Sequence, residues 1–101
     1  MIDNCENLLL LSLLETIQMN QLLFKQNDCE YTSQQVISFL TDLNQQGYLD
    51  IYINEKKITD LYLIQNYINN TSLWGTQEVS LNEAGREKFS VKINETLKKL
   101  I

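Results

Sequence analysis

The middle of the chain carries its clearest hydrophobic pattern. Within residues 32–49, Val36, Phe39, Leu40 and Leu43 recur at spacings of three and four, so at about 100° per residue they share one face of a helix. Thr32 and Gln35 have the spacing of a capping box, in which each side chain satisfies a backbone donor left free at the helix start. Asn44, Gln45 and Gln46 form a polar tail. Gly47 follows, where a residue without Cβ closes a helix at little cost in the left-handed region. The period then shortens: Tyr48, Asp50 and Tyr52 alternate with Leu49, Ile51 and Ile53, which predicts a strand.

Before this unit, residues 5–17 (CENLLLLSLLETI) are apolar nearly all round, which predicts a helix buried on more than one side. Residues 20–28 fit a short second helix, with residues 28–31 as a turn. Because no glycine or proline punctuates 18–21, one helix over 5–26 stays open as the alternative. After the central unit, residues 54–57 (NEKK) read as a hairpin tip. The next run, 58–68, is ambiguous. Ile58, Leu61, Ile64 and Ile68 fit a helical stripe, but the β-propensity of Ile, Tyr and Thr favours a strand, and a strand is expected. Turn residues over 69–76 lead to a strand at 77–81 and a last helix from about 82, capped by Ser80 with Glu83 or by Asn82. Along it Phe89, Ile93, Leu97 and Ile101 lie four apart. This apolar stripe exceeds what a small core covers, which makes it a candidate dimer interface.

A chain of 101 residues with 44% hydrophobic and 21% charged side chains can bury a modest core and has room for one domain, so residues 1–101 are expected to form a single α+β unit. The charge is uneven. Residues 1–50 hold seven acids (Asp3, Glu6, Glu15, Asp28, Glu30, Asp42, Asp50) against Lys25, whereas the rest is nearly balanced, within a net charge of −5. Two cysteines, Cys5 and Cys29, and no histidine make neither a disulfide framework nor a familiar zinc spacing, so both cysteines are expected to be reduced packing residues and no metal or cofactor is expected. The run Leu8 to Leu14 is far shorter than a bilayer span and follows Asp3 and Glu6 rather than a basic region. A cytoplasmic protein without a membrane partner is expected. Abundant Asn, Ile and Lys beside one alanine and no proline suggest AT-rich coding, as in a low-GC bacterium, a phage or a plasmid.

Two segments, TSQQVISFLTDLNQQGYL and VSLNEAGREKF, resemble the winged helix-turn-helix superfamily of bacterial regulators in the broad MarR- and PadR-like sense. The first is similar to a recognition helix running through a glycine into the first wing strand. The second is similar to the second wing strand and the helix after it, opening on Leu81, Asn82, Glu83, Ala84 and Gly85. The resemblance implies a winged helix with a C-terminal helix at about 82–101. Residues 54–76 separate the two wing strands, so the wing is enlarged.

It also implies a transcriptional regulator or DNA-binding adaptor acting as a homodimer. Its DNA contacts would come from Ser33, Gln34, Ile37, Ser38 and Thr41 on the reading helix and from Lys56 and Lys57 on the wing. Its dimer contacts would come from Phe89, Ile93, Leu97 and Ile101. Gln, Ser and Thr hydrogen-bond base edges, but the phosphate grip normally comes from Lys and Arg, and here only Lys25, Lys56 and Lys57 are placed to supply it. The acidic first half therefore supports an alternative, an acidic protein-interaction module on the same fold that engages a basic protein partner, such as a phage- or plasmid-encoded inhibitor or DNA mimic.

An enzyme is not expected. There is no histidine and no Gly-rich phosphate loop, and Cys29 sits beside Asp28 and Glu30, which would hold its thiol protonated. Trp74, the sole tryptophan, is expected in the core or packing the wing.

Overall fold

The computed structural model describes residues 2–23 and 31–100. The chain is α+β. In order it forms α1 (Ile2–Ser12), β1 (Ile17–Gln18), a 3₁₀ segment (Met19–Leu23), α2 (Ser33–Gln45), β2 (Leu49–Ile53), β3 (Lys56–Ile58), α3 (Leu61–Asn69), a second 3₁₀ segment (Thr71–Thr76), β4 (Gln77–Leu81), α4 (Glu83–Lys88) and α5 (Ser90–Leu100). The strands make one antiparallel sheet in the order β1-β4-β2-β3. Leu49 and Ile51 of β2 and Val79 and Leu81 of β4 face one hydrophobic core with Leu8, Leu9, Leu10 and Leu13 of the first segment and Val36, Leu40 and Leu43 of α2.

The adjacent burial of Leu8, Leu9 and Leu10 agrees with a helix covered on more than one side. That helix stops at Ser12, so a single helix over 5–26 is ruled out and the expected extension to Ile17 is corrected. The physical reason is competition from the sheet. β-branched Thr16 and Ile17 favour extended backbone, Ile17 pairs with Val79, and the Leu13 carbonyl accepts from Leu81 N at 2.9 Å, occupying a group the helix end leaves free. Residues 19–23 are 3₁₀ rather than α-helical. The remainder of the expected second helix, most of the 28–31 turn, Lys25 and Cys29 lie outside the described residues.

α2 is built as its sequence predicts. Gln35 N donates to Thr32 Oγ1 at 3.2 Å and Thr32 N donates to Gln35 Oε1 at 2.9 Å, completing the capping box. At the other end Gly47 N donates to the Asn44 carbonyl and Tyr48 N to the Leu43 carbonyl. This is the Schellman closure, and it places Gly47 at φ +78°. The turn aims the chain directly into β2.

The hairpin that follows is tighter than expected. Asn54 and Glu55 both have positive φ, 52° and 65°, as a two-residue type I′ loop requires, and Ile53 pairs with Lys56. Lys56 and Lys57 are therefore in β3 and not at the tip. The expected strand over 58–68 is corrected: β3 ends at Ile58 and residues 61–69 are helical. Asp60 caps this helix, accepting from Tyr62 N at 2.9 Å and Leu63 N at 3.3 Å. Ile64 and Ile68, four apart, are buried on one face. Packing of that face outweighed the β-propensity of its residues.

Trp74 is 1% exposed and its Nε1 donates to the Ile68 carbonyl at 3.1 Å, which makes it a core residue. β4 occupies the expected residues. The cap of the following helix is Asn82, which accepts from Gly85 N at 2.8 Å and donates to the Gly47 carbonyl at 2.7 Å. Ser80 instead lies within β4, opposite Asp50. The expected single last helix is divided at Phe89 into α4 and α5.

One core position runs against its surroundings. Gln77 is fully buried, and neither atom of its amide meets a hydrogen-bonding partner among the described residues. Burying such a group costs about 1–3 kcal/mol, so Gln77→Leu should raise stability by roughly that amount. Urea denaturation checks this, and an unchanged or lower midpoint would show that the amide is satisfied.

Candidate nucleic-acid interface

Of the residues expected to read DNA, Gln34 and Ser38 lie on the side of α2 opposite Val36, Leu40 and Leu43. At about 100° per residue Gln34, Ser38 and Gln45 fall within roughly 40° of one another, and all three are exposed, as is Ser33. Asp42 stands exposed at one edge of this stripe. Ile37 and Thr41 on the other edge are half-buried, with Ile37 packed against the core.

That second edge is covered by α3, which the sequence did not place there. Gln65 Nε2 donates to Thr41 Oγ1 at 2.8 Å, and Asn44 Nδ2 approaches Gln65 Oε1 and the Leu61 carbonyl at 3.4 Å each. Thr41 keeps a hydroxyl proton to donate, but its oxygen is already engaged. Asn44, read as part of a polar tail, is buried. Of the five expected helix contacts, the structure holds Ser33, Gln34 and Ser38 fully in the open and withdraws Ile37 and Thr41 partly. Between α2 and α3 lies an open groove of about 490 Å³, lined by Asn44, Gln45, Leu61, Tyr62, Gln65 and Asn66. The cap at Asp60 followed by Ile64 and Ile68 was the available sequence signal for α3. Nothing in the sequence said which face it would cover.

The basic residues are arranged differently from the expectation of a free wing pair. Lys57 Nζ lies 3.5 Å from Asp50 Oδ1, an exposed contact worth under about 1 kcal/mol that still directs the ammonium inward along the sheet. Lys56 is exposed. Arg86 ties α4 to the rest of the fold, because its Nε donates to the Leu81 carbonyl and its Nη2 donates to the Leu14 carbonyl. Lys92 sits 6.0 Å above the Phe89 ring, and Lys88, Lys98 and Lys99 are exposed on α4 and α5. α2 itself carries no lysine or arginine.

The expected dimer stripe is divided between interior and surface. Phe89 is half-buried and meets the Tyr48 ring edge-on at 5.5 Å and 84°. Ile93 is buried, and α5 packs against α1 of the same chain. Leu97 is 41% exposed, and Ile101 lies outside the described residues. Burial pushes the Tyr31 phenol above its ordinary 10.0, so it remains neutral across the physiological range. Among the described residues no helix is long and apolar enough to cross a membrane, and no group of three His, Cys, Asp or Glu converges to hold a metal. Compared with known proteins, the chain matches no family model, no curated sequence and no solved structure.

Proposed function

We propose that the chain is a winged helix-turn-helix protein that binds duplex DNA as a regulator or adaptor, with α2 in the major groove and the β2–β3 hairpin as its wing edge. The observation that carries this reading is the exposed, uncharged hydrogen-bonding stripe of Gln34 and Ser38 on a helix capped at one end and closed by Gly47 into a wing strand. The antiparallel pairing of β2 with β4 supports it as the pairing of the two wing strands, with β3 and α3 as the enlargement between them. An amide and a hydroxyl on a helix face suit base edges, with glutamine able to pair bidentately with adenine.

With Lys57 held at Asp50, Lys56 is the lysine left to grip phosphate on the hairpin. Binding should therefore depend on salt only shallowly. Lys56→Ala should flatten the slope of log K against log salt by about 1 and weaken all sequences alike, while Gln34→Ala should cost ~1–3 kcal/mol on the preferred site alone. Mobility shifts on genomic fragments across a salt series measure both.

The charge distribution favours a second reading, an acidic protein-interaction module that engages a basic partner. Asp42 borders the reading stripe, and the lysines of α4 and α5 stand on elements other than α2. In that case Lys56→Ala does little and Asp42→Lys breaks the complex. No shift with any fragment at low salt, together with capture of a basic protein that Asp42→Lys abolishes, decides for this second reading.

A further inference from the structure

We infer, resting on the reading of α2 as a recognition helix, that Gln65 of α3 fixes the Thr41 hydroxyl as a donor toward DNA. The duplex must then offer an acceptor, guanine O6 or thymine O4, at the base that meets Thr41.

The polarity is set by a chain of contacts that begins on the backbone. The Leu61 carbonyl can only accept, and Asn44 Nδ2 faces it at 3.4 Å. Asn44 is buried, and turning its amide over would press its own oxygen against that carbonyl. The same Nδ2 lies 3.4 Å from Gln65 Oε1, so Gln65 turns its oxygen toward Asn44 and its Nε2 toward Thr41. There Nε2 donates to Thr41 Oγ1 at 2.8 Å. A hydroxyl has one proton and two lone pairs, and here a lone pair is engaged by a residue of another helix.

The fate of the proton sets Thr41 apart. Inside a helix a serine or threonine can return its proton to the carbonyl four residues earlier, as Ser12 does to Leu8 and Thr96 to Lys92. Thr41 donates to no acceptor among the described residues, so its proton is left for a group outside the chain. Thr41 stands three residues beyond Ser38 and about 60° from it around the helix, and it is half-buried. In the major groove a donor meets guanine O6 or thymine O4, and the amino groups of adenine and cytosine refuse it at the same places. Gln65 need not touch the duplex; it is a positioning residue, supplied by the helix between β3 and β4.

The test is selection of preferred sites from a random duplex library by the wild type, Thr41→Val and Gln65→Glu, with circular dichroism to check that each variant folds. Thr41→Val keeps the shape and removes the proton. Preference for a keto base at one position should fall about two- to tenfold, the range of a single hydrogen bond. Gln65→Glu keeps the shape and reverses the polarity, because its carboxylate accepts from both Asn44 and Thr41. Thr41 then offers only lone pairs outward, and preference at the same position should move from guanine to adenine or from thymine to cytosine. Repulsion between the added charge and phosphate weakens all sequences alike and does not imitate this shift. If the wild type selects a site and Gln65→Glu keeps the keto base, or Thr41→Val changes no position, this inference is overturned while the DNA reading stands. Duplex binding by the wild type without any base preference has the same effect. A wild type that binds no duplex overturns both.

Discussion

Trp74→Ala should lower the unfolding free energy by about 3–5 kcal/mol. For a chain of this length the whole margin is roughly 5–15 kcal/mol, so the variant should be partly unfolded at ambient temperature if the margin is at the low end. Trp74 is the largest fully buried side chain, and its 3₁₀ segment touches α3, β1, β4 and the segment Met19–Leu23. Removing the indole therefore opens a cavity where four elements meet. It also strands the Ile68 carbonyl that Nε1 satisfies. Trp74→Phe weights the two terms differently, since it keeps most of the volume and loses the hydrogen bond, for a cost nearer ~1–3 kcal/mol. Far-ultraviolet circular dichroism in urea is the measurement, because the variant lacks the chain's only tryptophan. A loss below about 1 kcal/mol for the alanine variant would place this side chain outside the core.

Gly85→Ala should also destabilise, against the direction of helix propensity. Gly85 lies within α4, where alanine is ordinarily better than glycine by about 1 kcal/mol. Here a Cβ would stand 2.7 Å from the Tyr48 carbonyl oxygen and 2.9 Å from Leu81 Cδ2. The leucine methyl could yield, but the carbonyl is anchored. It accepts from Asn82 N at 3.0 Å and follows directly on the Gly47 turn, whose carbonyl accepts from the Asn82 side chain. Overpacking of this kind costs about 1–3 kcal/mol and occasionally more, which exceeds the propensity gain. The glycine is thus a contact residue that lets α4 lie against the end of the α2–β2 turn. Thermal unfolding decides the sign: a higher midpoint for the alanine variant would mean that α4 slides away freely and the approach is not fixed.

Where one residue's chemistry acts on its own neighbours, the sequence was legible. The Thr32–Gln35 box, the left-handed Gly47, the alternation through β2 and the strand 77–81 all depend on contacts a few residues long, and each is found where it was read. The exposed stripe of Gln34 and Ser38 follows from the same periodicity. What failed depends on a second element. Residues 61–69 satisfy a strand by propensity and a helix by spacing, and the choice was made by a face of α2 that offers Thr41 and Asn44 as partners. Asn44 looked like part of a solvated tail until α3 covered it. Lys57 looked free until the β2–β3 register set it beside Asp50. Ile93 looked like a surface leftover because the contact between α1 and α5 joins distant parts of the chain.

That last contact has a bearing on how the protein is made. The leucines of α1 are made before the elements that hold them: α1 packs against α5, and the carbonyls of Leu13 and Leu14 just beyond it pair with β4 and α4. Leu13 waits for Leu81 N, and the Leu14 carbonyl waits for Arg86, 72 residues later. Until that length has been translated, a group of five large apolar side chains within residues 8–13 lacks the part of its native cover that β4 and α5 supply. Local pieces such as α2 with its turn can form on the ribosome, whereas closure of the sheet requires a long-range loop to be drawn shut. The nascent chain should therefore keep residues 8–13 only partly covered until α5 is made, the kind of transiently exposed apolar segment that chaperones bind.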